Sequence, residues 1–374
     1  MPSDAPGPSL TIGIDARAAV EVPAGRGRVV RELLRELAAR EDPHSYRCYA
    51  RTAWDEPADE RFQWRLLGVR DPLWNFRAAR AASRECDVFL SSNSYLTTWF
   101  LTIPGVPIVY DLVAFELSLR PNRRSAAIER LTLGTAVRRS SGFVAISQTT
   151  ADALARRFPA TVRRTTVAAL GVSPALTASL DPAELEGLPH QGFVLAVGTL
   201  EPRKNLPRLV AAYAALDPAL QAGHPLVVVG APGWQTGETL DALRSLGDRV
   251  TMLGYVSDAA LAELYRRCAV FCYPSLGEGF GLPVLEAMAA GAAVVTSDLS
   301  SLPEVGGEAV EYVAPHEVAS IAAGIDRLLR SPSRRAELGE AARARARSFS
   351  WARFAERTLA ALERAANGRN RFTA

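Results

Sequence analysis

Short apolar runs alternate with segments of helical periodicity along most of the chain. LTIGIDA, from Leu10 to Ala16, has the composition of a buried strand, and the glycine-containing AGRGR leads into a helix from about Val29 to Ala39 with Leu33, Leu34 and Leu37 on one face. DVFLSS at 87–92, VPIVYDL at 106–112 and GFVAIS at 142–147 are further strands, and QTTADALARRF follows the last of them as a helix capped near Ser147. Near residue 190 the pattern restarts. Strands are predicted over 193–198, 225–230, 250–254, 269–275 and 292–297, with helices over 205–216, 239–247, 258–268 and 283–290 between them. Apolar strands alternating with amphipathic helices indicate parallel sheets covered on both faces. The segment from about 335 to 366 is helical in propensity with Arg and Glu mixed, which also describes a solvated surface helix pair, and NGRNRFTA at the end is expected to fray.

The chain has 374 residues, too many for one comfortable core, so two domains and a cleft between them are expected. The fold class is α/β, with two Rossmann-like domains: 1–180, and 181–351, with a helix at about 352–368 packing back on the first. Residues 171–192, rich in Pro and Gly, are the expected hinge for closure. No internal repeat at a solenoid period is visible.

Charge narrows the choice of partner. Lys and Arg total 43 against 40 Asp and Glu, a formal +3, which argues against a general nucleic-acid binder. Between 120 and 139, however, Arg120, Arg123, Arg124, Arg130, Arg138 and Arg139 face only Glu129. That segment is either a solvated helix face or a contact for an anionic membrane surface. The cysteines at 48, 86, 268 and 272 follow neither a metal-site nor an extracellular disulfide spacing and read as buried thiols. MPSDAPGPS has no basic or apolar leader region, and no window reaches membrane-span length, so the expected location is cytoplasmic, free or peripheral at the inner membrane face.

Chemistry concentrates in two segments. In GEGFGLPVLEAMAAG, the glycines at 277, 279 and 281 precede a helix whose first turn holds Pro283. Accessible main-chain N–H groups and a helix N-terminus make a phosphate site. Glu286, one turn in, either complements the helix dipole or accepts hydrogen bonds from ribose hydroxyls. Glu278 would lie beside the group attached to the phosphates. In GTLEPRKN, at the carboxyl end of the 193–198 strand, Arg203 and Lys204 form either an ordinary exposed loop or a diphosphate clamp of one guanidinium and one ammonium. Together with the glycine loop, the clamp is the better reading. Lys204 is the only lysine in the chain.

VGTLEPRKN, VVVGAPGW, VTMLGYVSDAALAELYRRC and EGFGLPVLEAMAAGAAVVTSDLSSLPEVGGEA resemble the group 1 (family four) nucleotide-sugar glycosyltransferases. The resemblance covers the second half of the chain closely, including the two glutamates with seven residues between them, and the first half loosely through GIDAR, the glycines at 25–27 and FVAISQTT. It implies the GT-B fold, retention of the donor sugar's anomeric configuration, and transfer without a divalent metal or other cofactor. Residue by residue it implies that Arg203 and Lys204 hold the donor diphosphate and help it leave, that Glu286 holds the ribose, and that Glu278 lies at the transferred hexose. Gly198 borders the phosphates, and the main chain at Gly279, Phe280, Gly281 and Leu282 contacts hexose or phosphate. Tyr255, Val256 and Ser257 line the base pocket, while Gly25 and Gly27 approach the phosphate from the first domain. Fixed cations at the leaving phosphate are the chemistry that glycosyl transfer needs. In keeping with metal independence, the histidines at 44, 190, 224 and 316 show no ligand spacing, and the recognised segments hold no Asp-x-Asp.

Two positions depart from the family pattern. Many relatives have His-Asp where this chain has Tyr110 and Asp111. Asp111 remains a catalytic candidate, and Tyr110 either hydrogen-bonds the sugar or packs as a strand residue, since a phenol is a poor base near neutral pH. Thr199 replaces a phosphate-binding arginine of other branches, a part that Arg203 can take. The segments look most like bacterial mannosyl- and related hexosyltransferases of surface polysaccharides. That inclines the donor to GDP-mannose, with UDP-glucose and other UDP-sugars as alternatives, and the acceptor to a saccharide or lipid-linked saccharide. Trp74, Phe76, Tyr95, Trp99 and Phe100 either stack on sugar rings or fill core. Two rival readings are a regulatory subunit that binds nucleotide-sugar without turnover, and an epimerase or phosphorylase on the same fold. A pyridoxal-type phosphorylase is disfavoured because the one lysine is already at the diphosphate.

Overall fold

The computed structural model describes residues 9–23, 25–112, 115, 123–172, 174, 192–231, 233 and 237–370. Contacts divide these residues into two units. The first holds those up to 170 and from 351 onward, and the second those from 171 to 350. Most of the expected hinge, and Arg120 with the side chains of Arg123 and Arg124, lie outside the described residues.

The first unit is a parallel sheet of seven strands: β1 (Thr11–Asp15), β2 (Ser45–Ala50), β3 (Phe62–Leu66), β4 (Val88–Ser91), β5 (Gly105–Val109), β6 (Phe143–Ala145) and β7 (Thr165–Val167). Their order is β3-β2-β1-β4-β5-β6-β7, so the chain winds one way from β1 to β3 and the other way from β4 onward. The reversal falls between β1 and β4, where Ile12 pairs with Val88 and Ile14 with Leu90. The helix Trp351–Asn370 packs on the helix Arg26–Ala39 and on β4, β5 and β7. Its last turns run through part of the tail that was expected to fray.

The second unit is a parallel sheet of six strands: β8 (Val194–Val197), β9 (Leu226–Val229), β10 (Val250–Gly254), β11 (Val270–Tyr273), β12 (Val294–Ser297) and β13 (Glu311–Val313). The order is β10-β9-β8-β11-β12-β13, with the reversal between β8 and β11. Its core joins Val194, Ala196, Val228, Cys272 and Val295 from the strands to Leu209, Leu243, Ile325 and Leu328 from the helices. β11 is shorter than predicted because Pro274 has no N–H to continue the ladder.

Several elements of the first unit had no predicted counterpart, among them β2, β3, β7 and the helix Leu73–Glu85. β2 and β3 mix arginine and glutamine with aromatics, as in SYRCYA and FQWRL, and β3 is the sheet edge. The helix Leu73–Glu85 buries Trp74 and the small Ala78, Ala79 and Ala82, a stripe too low in apolar bulk to stand out as a pattern. All four cysteines are free, and burial pushes the Cys48 thiol up to about 12 and that of Cys86 to about 11. They are packing groups. Among the described residues no helix is long and apolar enough to cross a membrane.

Candidate active site

In a doubly wound sheet the carboxyl ends of the two strands flanking the reversal leave a crevice, because their following loops turn away to opposite faces. In the second unit those loops follow β8 and β11, and both sequence motifs lie there. Gly198, at φ +140°, ends β8, and Asn205, in the left-handed region, separates the 3-10 turn Pro202–Lys204 from the helix Leu206–Ala214. The buried Asn205 amide donates to the carbonyls of Pro274 at 3.0 Å and Pro315 at 2.7 Å, tying this turn to the loop after β11. Leu276 N–H donates to the Arg203 carbonyl at 2.8 Å and completes the tie.

Arg203, Lys204 and Glu278 therefore meet. Lys204 Nζ donates to Glu278 Oε1 at 2.8 Å and also to the Tyr273 hydroxyl, while Arg203 donates to Glu278 Oε2, to the Gly277 carbonyl at 2.9 Å and to Glu201 at 2.6 Å. Tyr273 and Ser275 donate their hydroxyls to Glu278 Oε1 at 2.8 and 2.7 Å. Burial alone would raise the Glu278 pKa, but the Lys204 ammonium and Arg203 guanidinium outweigh it and hold the carboxyl at about 2. Burial lowers the Lys204 pKa, and Glu278 offsets only part of that. An anion thus sits in the grip of the two cations that the sequence assigns to a diphosphate.

The glycine loop is fixed from behind. Ser300 accepts from Glu278 N–H at 2.9 Å, and Ser301 donates to the Glu278 carbonyl at 3.0 Å. Gly281, at φ +100°, caps the helix Leu282–Ala290, and a Cβ there would stand 2.6 Å from Leu302. Phe280 is buried with its ring edge-on to Phe349. Glu286 is buried on the same helix and accepts from the Tyr265 hydroxyl at 3.2 Å. Tyr255 and Ser257 are exposed and Val256 is half-buried; Ser257 caps the helix Asp258–Arg267. Gly198, Gly230 and Gly254, all at positive φ, end the adjacent strands β8, β9 and β10, and Gly230 N–H donates to the Gly254 carbonyl at 2.8 Å. Sequence reasoning missed Tyr273, Ser275, Gly230 and Tyr265 as site residues. The positive-φ glycines closing successive strands were the signal available for Gly230.

The first unit has an ion-pair cluster at the reversal between β1 and β4 and an open cavity. Arg17, 1% exposed, pairs with Asp15 at 2.7 Å and Asp71 at 2.8 Å and lies over the Trp74 ring at 3.6 Å, which pins the loop after β1. An open cavity of about 270 Å³ lies beyond, walled by Arg26, Asn93, Ser94, Tyr95, Tyr110 and Glu129 among others. The Arg26 guanidinium lies 5.0 Å from the Tyr110 ring centre. The Tyr110 hydroxyl is buried without a hydrogen-bond partner among the described residues. Burial and the neighbouring Asp111 raise the Glu129 carboxyl, against the pull of Arg26. Gly25 has open space about it, whereas a Cβ on Gly27 would stand 1.7 Å from the Val22 carbonyl oxygen, so Gly27 has a packing requirement of its own. No group of three or more His, Cys, Asp or Glu able to hold a metal occurs among the described residues.

The family Glycosyl transferases group 1 matches residues 184–345. Over 323 residues the chain is 33% identical to MMP alpha-(1->4)-mannosyltransferase of Mycolicibacterium hassiacum, covering 80% of this chain and 76% of that one. It is 41% identical over 175 residues to O-antigen chain mannosyltransferase B of Escherichia coli, a match that spans 46% of each protein and so less than half of that relative's length. Among solved structures, Anabaena HepE in complex with UDP-glucose superposes with a TM-score of 0.75 at 18% identity, covering 95% of this chain and 99% of that one. The last likeness is one of fold.

Proposed function

Since the chain belongs to the group 1 glycosyl transferases and has the GT-B fold, we propose that it transfers a hexose, mannose first among the choices, from a nucleoside-diphosphate sugar to a saccharide or lipid-linked acceptor, with retention and without a metal. The observation that carries this reading is the convergence of Arg203 and Lys204 on one anion at the β8/β11 reversal. Glu278 is that anion. A bound diphosphate takes its place on the two cations and frees the carboxylate to accept hydrogen bonds from the hexose. Mannose is favoured because O-antigen chain mannosyltransferase B and MMP alpha-(1->4)-mannosyltransferase, to which the chain is similar, are named for that sugar.

Cleaving the anomeric C–O bond leaves positive charge on the sugar and sends the electron pair to the leaving phosphate. Arg203 and Lys204, already aimed by Glu201, Gly277 and Tyr273, stabilise that charge without reorganising. Retention then follows if the acceptor hydroxyl enters on the face from which the diphosphate departs and passes its proton to a phosphate oxygen. Glu286 holds the ribose, and Tyr255 to Ser257 border the base. The first-unit cavity takes the acceptor, with Tyr110 and Glu129 among its polar groups and Asp111 acting on the Glu129 carboxyl from nearby.

Calorimetric titration with GDP, UDP, ADP and dTDP in EDTA tests the reading. One nucleoside diphosphate should bind preferentially, indifferent to EDTA, and binding should be lost in Lys204→Ala and Glu286→Ala. Binding of none would end it. Binding without turnover of any corresponding sugar nucleotide would favour the regulatory subunit.

A further inference from the structure

Four segments of the first unit contribute side chains of different chemistry to one cavity. Arg26 opens the helix Arg26–Ala39, Asn93 follows β4, Tyr110 follows β5, and Glu129 stands on the helix Arg123–Arg139 that leads to β6. Strands β4 and β5 are neighbours in the sheet, so the residues that follow them gather at one end of it. The cavity of about 270 Å³ lies just under the smallest pockets that hold drug-sized ligands, roughly 300 Å³, which is room for one sugar ring.

Opposite charges line this cavity without pairing. The Arg26 guanidinium lies 5.0 Å from the centre of the Tyr110 ring and makes no hydrogen bond or ion pair among the described residues. The half-buried Glu129 carboxyl makes none either, and the Tyr110 hydroxyl is a third group without a partner there. A ligand that fills the cavity therefore meets a group that only donates, one that only accepts when ionised, and a phenol that does both. A phosphate or carboxylate would satisfy Arg26 but stand against Glu129, with Asp111 adding to the negative field at both. An ammonium would satisfy Glu129 and stand against Arg26. Sugar hydroxyls donate and accept alike, so they satisfy all three groups without bringing a charge. Tyr95, Tyr110 and Ile108 supply apolar surface for the C–H face of a pyranose.

We propose that the acceptor residue held in this cavity is an uncharged sugar, and that Glu129 sets this specificity by accepting from sugar hydroxyls and rejecting uronates and sugar phosphates. The inference rests on the reading of this cavity as the acceptor's, and it narrows that reading from any saccharide to one whose accepting residue is neutral. Burial and Asp111 already raise the Glu129 carboxyl against the pull of Arg26, so a second anion placed there adds to a repulsion that the fold only partly offsets. Arg26 gives the complementary half of the filter. Its guanidinium binds a sugar oxygen and disfavours an amino sugar in its charged form.

Saturation-transfer NMR of the full chain with methyl mannoside, methyl glucuronide and mannose phosphate tests it, because filling the cavity needs no turnover. The neutral glycoside should bind, and the two anions should bind roughly tenfold or more weakly. Glu129→Gln keeps the shape of the side chain and removes its charge, so it should bring the glucuronide level with the mannoside. Arg26→Gln should weaken the mannoside by about threefold to tenfold and should not admit the anions. Denaturant melts verify that each variant is folded. Nucleoside diphosphate titration of the same samples reads the donor site separately and should be unchanged by Glu129→Gln. Anions bound as tightly as the mannoside, a preference that Glu129→Gln leaves intact, or no glycoside bound at all would overturn the proposal even where nucleotide still binds. Failure of nucleotide to bind the wild type would instead end the donor reading, whatever the glycosides do.

Discussion

The Tyr273 hydroxyl accepts a hydrogen bond from Lys204 Nζ and donates one to Glu278 Oε1 at 2.8 Å, so a neutral phenol joins the ammonium to the carboxylate. Because Lys204 is the only lysine in the chain, its state can be read directly. Burial outweighs Glu278 and leaves its pKa below the ordinary 10.5. Slow acetylation, followed on the peptide containing residue 204, should show a pH midpoint below that value. Saturating nucleoside diphosphate should protect the residue, since it claims the same ammonium. A midpoint at the ordinary value, or labelling indifferent to nucleotide, would count against the clamp.

The Glu278 carboxyl makes the second unit sensitive to acid in a defined window. Its folded pKa of about 2 lies below the ordinary 4.5, so the folded state favours the charged form. The resulting stability is fully present above 4.5 and is lost as pH falls from there through about 2. Denaturant melts of the wild type should lose midpoint steadily across that interval. Glu278→Gln should start lower, with a buried cation uncompensated, and decline less steeply over the same interval. Equal slopes in the two proteins would show that this carboxyl is not responsible.

Much of the second unit was legible in the sequence because its inner strands β8, β9, β11 and β12 are buried or nearly so. VLAV, LVVV and VFCY are continuous apolar runs, and each ends in a glycine, proline or loop that punctuates it. The two glutamates and the Arg203–Lys204 pair were visible as types and spacings, and their convergence could be expected from the β8/β11 reversal. The grip of Arg203 and Lys204 on Glu278 was not legible, because it depends on Asn205 tying two loops 69 residues apart. Tyr273 also gave no sign. In a strand it reads as one more aromatic core residue, and only the close approach of Lys204 makes its hydroxyl part of the site. In the first unit β2, β3 and the helix Leu73–Glu85 escaped notice because polar side chains and alanines carry their patterns.

Gly230 should be among the least replaceable residues of the donor half. A Cβ there would lie 2.0 Å from the Gly198 carbonyl oxygen, and its φ of +150° is outside the range L-residues adopt with ease. Gly230→Ala should therefore cost on the order of 3 kcal/mol and displace the Gly198 turn that leads to Lys204. Gly254→Ala, also at positive φ (+65°) but with nothing within 4 Å of its Cβ, should cost only about 1 kcal/mol. Urea melts and nucleoside diphosphate titrations of both variants separate the two effects. Equal losses would show that backbone conformation, not the contact with Gly198, sets the requirement.

Tyr110 offers a substitution in which stability and function should move apart. Its hydroxyl is buried with no partner among the described residues, and burial raises its pKa, so it remains a phenol that can donate but has nothing here to donate to. Removing an unsatisfied buried group relieves a desolvation cost of about 1 kcal/mol, so Tyr110→Phe should be as stable as the wild type or more so. If the cavity beside Arg26 and Glu129 takes the acceptor, the hydroxyl finds its partner there. The acceptor KM should then rise roughly tenfold, the worth of one hydrogen bond, while nucleoside diphosphate affinity stays the same. A variant that loses stability while keeping its acceptor KM would mean that Tyr110 is a strand residue with an undescribed partner, and the acceptor would have to be sought elsewhere.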